Sequence, residues 1–348
     1  MSTTHSYGHT IALGAMIASV VLFATGAAAQ TALPPNLKPL PASNFSLITV
    51  TTGDSTDSTL RFSTTSWNNG TGQLRLEAGS VDTGSGKQQV FQRIFNNDGS
   101  SSLFSAGWFE WHEGHNHFHF DDYALYVLQP VNAPGGSERI GQKTTFCVMD
   151  TTKIDASLPG APTSAVYSTC GNQIQGMSVG WGDTYGSSLP GQEIDFTDNA
   201  DGIYQLKIVI DPNTNTNTNA KIIESNENDN ESCVLLSITK PSTVRVLDST
   251  GSCSTVASIT PNTTARGTTL SVTITGYGFT PGMAVSFEGG TGPRPVASSV
   301  QLSSDTESLD MITAVVTVPY KKQLGRKPVW DIRVGSGGVL SKAFTVTP

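Results

Sequence analysis

Short runs of alternating apolar and polar residues fill most of the chain between residues 45 and 238, separated by Gly, Asn, Asp and Ser. Clear examples lie at residues 47–50, 123–128 and 204–210. A period of two is typical of strands that bury one face, and the intervening residues are typical of turns. No long stretch has the 3.6-residue period of an amphipathic helix. The pattern therefore predicts an all-β fold, namely a β-sandwich with long loops.

The length of 348 residues is enough for about two domains. We expect a signal peptide at residues 1–29, where an apolar stretch is followed by small residues. An uncleaved anchor is the alternative, but the apolar run at residues 11–23 is short for a bilayer span. Residues 30–44 are rich in Pro and predict an extended linker, after which a first domain occupies residues 45–254.

The formal net charge is -8, from 20 Lys and Arg against 28 Asp and Glu. An acidic surface argues against nucleic acid as a partner and favours cationic partners such as amines or Lys-rich proteins. No segment after the predicted signal peptide approaches transmembrane length, so we expect no membrane contact after cleavage. The mature chain is expected to be secreted into an extracellular or periplasmic space.

Four cysteines remain in the predicted mature chain, at Cys147, Cys170, Cys233 and Cys253. An even number in an exported protein predicts two disulfides, and three pairings are possible. The local pairing joins each cysteine to its nearest neighbour and closes two short loops, each of which would stabilise the fold by about 3 kcal/mol.

Histidine is concentrated at one place, because every histidine beyond the predicted signal peptide lies within residues 112–119. His115, His117 and His119 are spaced i, i+2, i+4, which on a strand places three imidazoles on one face, about 7 Å apart. Imidazole is a good ligand for copper, zinc, iron or nickel. His112 is out of phase with these three and is not counted as a ligand. The spacing predicts a transition-metal site, and a fortuitous metal-binding tract is the alternative.

A second candidate metal site lies at residues 222–230, where Glu, Asp and Asn are dense. Carboxylate and amide oxygens are the ligands that calcium prefers. The order of ligands found in an EF-hand is absent, so a simple Asx-rich turn is the alternative to Ca²⁺.

The histidine segment resembles the copper site of the lysyl oxidase family of copper amine oxidases. The matching residues are 110–119, Glu-Trp-His-Glu-Gly-His-Asn-His-Phe-His, and the family's copper ligands fall on His115, His117 and His119. Two further segments match in the family's order. Lys143 stands four residues before Cys147, and Tyr185 ends an Asp-Thr-Tyr motif.

The resemblance implies a cofactor, lysine tyrosylquinone, formed from Lys143 and Tyr185 with Cu²⁺ and O₂. It also implies oxidation of a primary amine, plausibly the lysine side chain of a protein, to an aldehyde with release of ammonia and H₂O₂. The cofactor requires a neutral lysine amine, so we expect Lys143 to be partly desolvated with a lowered pKa. The general base is unassigned, and its candidates are Asp121, Asp122, Asp183 and His112.

The remaining residues, 255–348, resemble the immunoglobulin-like module called IPT/TIG, chiefly through residues 259–282. A second β-sandwich is therefore expected there, with no catalytic role. Two other functions stay open for the whole chain. One is a non-catalytic secreted metal-binding β-sandwich such as an adhesin, and the other is a zinc hydrolase in which Glu113 activates water.

Overall fold

The computed structural model describes Met1 and residues 30–113, 116–212, 222–304, 310–323, 325–335 and 337–348. The predicted signal peptide, apart from Met1, lies outside the described residues. The described part of the chain forms strands and turns without any helix, which confirms the all-β prediction. It follows that none of these residues belongs to a helix long and apolar enough to cross a bilayer.

Seventeen strands lie between residues 30 and 254 of the described chain. They are β1 (Ala32–Leu33), β2 (Leu37–Pro39), β3 (Ser43–Thr52), β4 (Ser55–Asn68), β5 (Leu74–Val81), β6 (Gln88–Asn96), β7 (Ser101–His112), β8 (His117–Phe120), β9 (Ala124–Asn132), β10 (Arg139–Ile140), β11 (Thr152–Lys153), β12 (Ile174–Met177), β13 (Trp181–Tyr185), β14 (Glu193–Asp195), β15 (Gly202–Ile210), β16 (Glu231–Thr239) and β17 (Thr243–Gly251). The three alternating runs singled out in the sequence fall in β3, β9 and β15, or begin one residue before them.

These strands form three antiparallel sheets. The first has the order β12-β5-β6-β7-β8, with β1 also paired to β6, and the second has the order β10-β9-β15-β16-β17. The third has the order β11-β13-β4-β14, and β2 and β3 also pair with β4. A single hydrophobic core lies among them, and its largest fully buried side chains include Phe62, Phe109, Phe120, Tyr126 and Phe146.

Eight further strands follow Cys253. They are β18 (Thr255–Thr260), β19 (Thr263–Ala265), β20 (Thr269–Tyr277), β21 (Val285–Glu288), β22 (Val296–Ser304), β23 (Asp310–Thr317), β24 (Val329–Val334) and β25 (Leu340–Thr347). One sheet has the order β18-β20-β23-β22 and the other β19-β25-β24-β21. These two sheets enclose a second hydrophobic core, between residues 256 and 346, that shares no buried residue with the first.

The Pro-rich segment at residues 30–44 differs from the predicted extended linker. It contributes β1 to the edge of β6 and β2 to the edge of β4, and Leu37 is fully buried in the first core. The physical reason is that proline favours extended backbone and is tolerated on edge strands, where its missing N–H is not needed. A Pro-rich sequence therefore does not distinguish a free linker from a strand at a sheet edge.

Candidate active site

The predicted metal site lies on the hairpin formed by β7 and β8. The two strands are antiparallel, with His112 opposite His117 and Glu110 opposite His119. His117 and His119 are two residues apart on β8, so their side chains share one face. Their Nε2 atoms lie 2.9 Å apart and their ring centroids 4.9 Å apart. His115, the third predicted ligand, lies outside the described residues.

His112 joins this cluster, although the phase of a single strand excluded it. Its ring stacks on that of His119, with centroids 4.7 Å apart and planes 27° apart. The phase of β8 does not apply to His112, because His112 belongs to β7 and the chain reverses before β8. The positive φ of 56° at Asn116 belongs to this reversal. The Gly-His-Asn sequence before β8 was the available signal, since Gly and Asn favour such turns.

The donor set fits a copper ion. Two nitrogen ligands about 2.0 Å from one metal ion and at right angles to each other are about 2.9 Å apart, which agrees with the two Nε2 atoms of His117 and His119. The opposite ring nitrogen of His119, Nδ1, lies 3.0 Å from the Thr145 hydroxyl. A hydrogen bond at this second nitrogen fixes the ring orientation of a metal-binding histidine. His119 is also fully buried, which restricts its ring to one orientation.

The segment that follows β10, which contains Lys143, packs next to the histidine-bearing strand β8. It runs alongside the end of β8, where the Phe120 and Phe146 backbones exchange hydrogen bonds of 2.7 and 3.0 Å. The Tyr123 N–H donates to the Thr144 carbonyl at 2.8 Å. These backbone contacts place residues 143–147 beside the histidine pair. Local sequence patterns do not predict this contact, because the contact joins segments more than twenty residues apart.

Lys143 is buried among aromatic rings. Its side chain is 9% exposed, and its Nζ lies 4.8 Å from the Phe146 ring centroid and 5.4 Å from the Tyr185 ring centroid. Burial lowers the pKa of Lys143 to about 8, while the nearby Asp183 carboxylate opposes this shift. The lowered pKa confirms the expectation of a partly desolvated amine. Gly191 packs directly on this side chain, because a Cβ there would lie 2.9 Å from the Lys143 Cβ.

Tyr185 is the last residue of β13 and pairs with Thr64 of β4. Its hydroxyl donates a 2.7 Å hydrogen bond to the Cys147 carbonyl, and its ring meets the Phe146 ring edge-on at 4.9 Å. Burial raises the pKa of Tyr185 well above its usual value, and the Asp183 carboxylate adds to the effect. The phenol is therefore held neutral with its ring next to the Lys143 amine.

A cavity of about 350 Å³ adjoins the Tyr185 ring. Its lining residues are His117, Met149, Thr151, Cys170, Asp183, Thr184, Tyr185, Leu189 and Pro190. Cys170 forms a disulfide with Cys147, and Cys233 forms one with Cys253, so the pairing is the local one of the three that were possible. The Cys147–Cys170 disulfide anchors the segment that contains the Cys147 carbonyl, which accepts the hydrogen bond from Tyr185.

The four candidate bases are distributed unequally around this cavity. Asp121 accepts a hydrogen bond from the Trp108 backbone, and its other oxygen lies 3.7 Å from Lys87. His112 is stacked against His119. Of the four candidates, Asp183 is the one that lines the cavity. Glu113, proposed for a hydrolase, is exposed in the turn after β7.

The candidate calcium segment folds against β2 and β6, where the Leu37 N–H donates to Glu224 and the Ile223 N–H donates to Gln92. Carboxylate oxygens of Asp211, Glu224 and Glu227 lie within 4.8 Å of one another. The predicted Asx turn is also present, since the Asn226 side chain accepts from the Asn228 N–H at 3.1 Å. The segment therefore combines both features that the sequence left open.

Three buried side-chain oxygens in this region have no hydrogen-bond donor among the described residues. They belong to the side chains of Asn36, Asp229 and Asn230. Burial raises the pKa of Glu224 to about 8, although the Leu37 backbone and Asn230 side chain both donate to it. A set of buried oxygens that lacks donors suits a hard cation such as calcium.

The family model and the relatives that match this chain all point to the same family. Residues 88–244 match the lysyl oxidase family. Human protein-lysine 6-oxidase is 34% identical over 132 residues, covering 35% of this chain and 28% of that protein. Human lysyl oxidase homolog 1 is 35% identical over 104 residues, covering 30% and 17%, and pig protein-lysine 6-oxidase is 33% identical over 132 residues, covering 35% and 47%.

The chain thus spans less than half the length of each of these relatives. The matched region nevertheless contains the β7–β8 hairpin, Lys143, Tyr185 and the cavity between them. Over residues 88–244, the chain is therefore similar to the lysyl oxidase family.

Proposed function

We propose that this chain is a copper-dependent oxidase that converts primary amines, including the lysine side chains of proteins, to aldehydes with release of ammonia and H₂O₂. The observation that carries the proposal is the position of the Lys143 Nζ, 5.4 Å from the centroid of the Tyr185 ring, in the segment whose Thr145 hydroxyl contacts His119. An amine and a phenol ring at this distance can be joined by small side-chain movements.

Copper would be held by His115, His117 and His119, with the role of His115 resting on the resemblance alone. When bound, copper and the quinone derived from Tyr185 supply the oxidising chemistry with O₂ as oxidant. The protein itself would hold the histidine ligands in the orientation that the metal needs. Thr145 fixes the His119 ring, and the pairing of β7 with β8 fixes the position of His117.

Lys143 and Tyr185 would form the lysine tyrosylquinone. Burial of Lys143 supports this role, because only a neutral amine has the lone pair needed to add to a ring carbon, and desolvation favours the neutral form. The hydrogen bond to the Cys147 carbonyl holds the Tyr185 ring in one orientation. The edge-on contact with Phe146 keeps water from one side of the same ring.

The cavity beside Tyr185 would receive the substrate. Apolar side chains of Met149, Leu189 and Pro190 suit the methylene groups of a lysine side chain. Secretion is supported by the two disulfides, which persist in oxidising compartments. The acidic balance of the chain favours amines over nucleic acids as partners.

Calcium would serve as a structural ion at Asp211, Glu224 and Glu227. The donor-free oxygens of Asn36 and Asn230 support this proposal. Such an ion would tie the segment after β15 to β2 at the edge of the first core.

Two domains would divide these tasks, with catalysis in residues 45–254 and an immunoglobulin-like module of the IPT/TIG type in residues 255–348. The separate hydrophobic cores support this division. The second module would serve adhesion, spacing or stability.

The deciding experiment is peptide mapping of the full chain after copper loading in air. We expect a peptide in which Lys143 and Tyr185 are covalently joined, a visible absorption band, and H₂O₂ release on addition of n-butylamine. Tyr185→Phe should abolish all three while copper content, measured by mass spectrometry of the metal, stays within about 20% of wild type.

Tyr320→Phe is the matched control, since Tyr320 is an exposed tyrosine in the C-terminal region. It should behave as wild type. Amine-dependent H₂O₂ release that survives Tyr185→Phe would refute the quinone mechanism. A chain that binds copper without forming the cross-link would instead be a metal-binding protein without oxidase activity.

A further inference from the structure

Asp183 is a buried acid that the proposed cofactor does not use. Its side chain is 2% exposed, and it lies two residues before Tyr185 on the same face of β13. The Met149 N–H and the Thr151 hydroxyl donate to its two oxygens, both at 3.3 Å, which is long for a hydrogen bond.

Lys143 is a cation whose charge acts on Asp183 and lowers its pKa. Each group shifts the pKa of the other, which shows that their charges attract. When the Lys143 nitrogen becomes bonded to an aromatic ring, it no longer carries a proton at neutral pH. Formation of the cofactor would therefore remove that positive charge and leave Asp183 facing the cavity.

A cationic ligand bound in the cavity would replace the lost positive charge beside Asp183. Asp183 lies at its buried wall, whereas Leu189 and Pro190 at its rim are exposed. A primary ammonium on a flexible aliphatic stem matches this distribution, because its charge reaches Asp183 while its methylene groups contact the apolar rim. A buried carboxylate strongly favours such a partner, since an unpaired buried charge is costly.

We propose that Asp183 binds the ammonium group of the amine substrate in this cavity and takes up one of its protons. The inference rests on the function proposed above and adds to it the residue that recognises and activates the substrate. In the step, one N–H bond of the ammonium breaks, the proton passes to a carboxylate oxygen of Asp183, and the electron pair stays on nitrogen. The products are a neutral amine and a neutral carboxyl group, and no oxidant is consumed.

The surroundings of Asp183 suit a proton acceptor. The titratable groups that interact electrostatically with Asp183 are Lys143 and Asp150 from the segment after β10, Tyr123 just before β9, Tyr126 within it, and Tyr185 on its own strand. His117 lines the same cavity. Burial raises the pKa of Asp183 to about 8. Proton transfer from an alkylammonium is therefore less unfavourable than transfer to an ordinary aspartate.

The experiment uses the full-length, metal-free chain carrying Lys143→Met, which removes the competing ammonium and prevents the cross-link. Isothermal titration with n-butylammonium chloride at pH 7 measures binding, and 1-butanol serves as a neutral probe of similar size. We expect Lys143→Met/Asp183→Asn to bind n-butylammonium at least tenfold more weakly than Lys143→Met. Binding of 1-butanol should be equal in the two proteins.

Proton release gives a second readout that a merely structural role would not affect. Titrations in phosphate and in Tris, whose ionisation enthalpies differ, should show close to one proton released per n-butylammonium bound to Lys143→Met, because the protonated Asp183 must ionise to pair with the cation. The Asp183→Asn double variant should show none. Equal affinities in the two proteins, or binding without proton release, would overturn the proposal.

Two controls complete the test. Lys143→Met/Asp57→Asn removes an exposed carboxylate at the far end of the β3–β4 hairpin and should bind like Lys143→Met. Asparagine is nearly isosteric with a neutral aspartic acid, so Asp183→Asn should remain folded, which thermal unfolding would verify. Failure of the wild-type chain to form the Lys143–Tyr185 cross-link would refute the proposed function, whereas Asp183-dependent binding would still support this inference.

Discussion

In the proposed mechanism, Lys143 should control the pH dependence of cofactor formation, because its amine can react only when neutral. A solvated lysine with a pKa near 10.4 is neutral in less than about one molecule in a thousand at pH 7. With the pKa lowered to about 8, the neutral fraction is roughly one tenth. We expect the rate of cross-linking, followed by peptide mapping after copper addition, to rise steeply from pH 6 to 8 and to level off above pH 8.5.

Lys143→Arg is the control for this pH profile. Arginine stays protonated throughout the range, so this variant should form no cross-link at any pH. A wild-type profile that keeps rising to pH 10 would contradict the buried environment of Lys143.

Gly191 determines where the Lys143 side chain can lie. A Cβ added at Gly191 would lie 2.9 Å from the Lys143 Cβ and 3.0 Å from its Cδ, and the backbone φ is +78°. Gly191→Ala should therefore displace Lys143 and reduce the cross-linked fraction several-fold, with about 1 kcal/mol of lost stability from the left-handed backbone. Peptide mapping and thermal unfolding measure the two effects.

Gly160→Ala separates the steric effect from the backbone effect. Gly160 has a φ of +87° but no heavy atom within 4 Å of the added Cβ. It should lose similar stability and keep wild-type cross-linking. Equal cross-linking in both variants would show that Gly191 does not position Lys143.

At the scale of elements, the sequence predicted strands better than it predicted their pairing. Alternation located β3, β9 and β15, and the spacing of the histidines placed His117 and His119 on one face. Local periodicity describes one strand at a time. It therefore does not predict the stacking of His112 on His119, which depends on the reversal between β7 and β8.

The contact between β8 and the segment after β10 was also beyond the reach of periodicity. Two-residue alternation says nothing about the Phe120–Phe146 bridge, which is an isolated pair in an irregular segment. Lys143 and Tyr185 were found through motifs that resemble a known family. Their proximity follows from the pairing of β13 with β4 and from the hydrogen bond to the Cys147 carbonyl.

The two disulfides should differ in their effect on the site although they close loops of similar length. Their sequence separations are 23 and 20 residues, so replacing either pair with Ser should cost about 3 kcal/mol of unfolding free energy. Loss of Cys147–Cys170 should also reduce cross-linking, because Cys147 holds the Tyr185 hydroxyl and Cys170 lines the cavity.

The pair Cys233–Cys253 serves as the control for this prediction. It joins the start of β16 to the residues just after β17, and neither cysteine lines the cavity. Chemical denaturation and peptide mapping at a temperature where both variants are folded would measure the two effects. Reduced cross-linking in both variants to the same extent would argue that only global stability matters.

On the scale of the whole molecule, the Pro-rich segment shows why a linker was predicted wrongly. Its role depends on Leu37 entering the first core and on Asn36 and Lys38 contacting Asp229, which is nearly two hundred residues away. Composition cannot reveal contacts of such separation. Through Asn36 and Leu37, the segment instead contacts the residues around the candidate calcium site.

Two buried acids should set the stability of the metal-free chain between pH 5 and 8. Burial raises the pKa of Asp183 and of Glu224 to about 8, whereas both titrate near pH 4 when unfolded. In this window the folded chain holds more protons than the unfolded chain, so stability is greatest at the acidic end and falls as pH rises through 8. Glu77 does not interfere, because its pKa is lowered to about 2 by Arg93.

Calcium should oppose this loss of stability, since it binds the ionised form of Glu224 and competes with protons. We expect the melting temperature of the metal-free chain to fall by about 5–10 °C from pH 5.5 to 8, and 1 mM CaCl₂ to restore most of it at pH 8 but little at pH 5.5. Glu224→Gln should weaken both effects, whereas Glu138→Gln, at an exposed position, should leave them unchanged. A melting temperature at pH 8 that does not respond to calcium would mean that the donor-free oxygens of Asn36, Asp229 and Asn230 serve no cation.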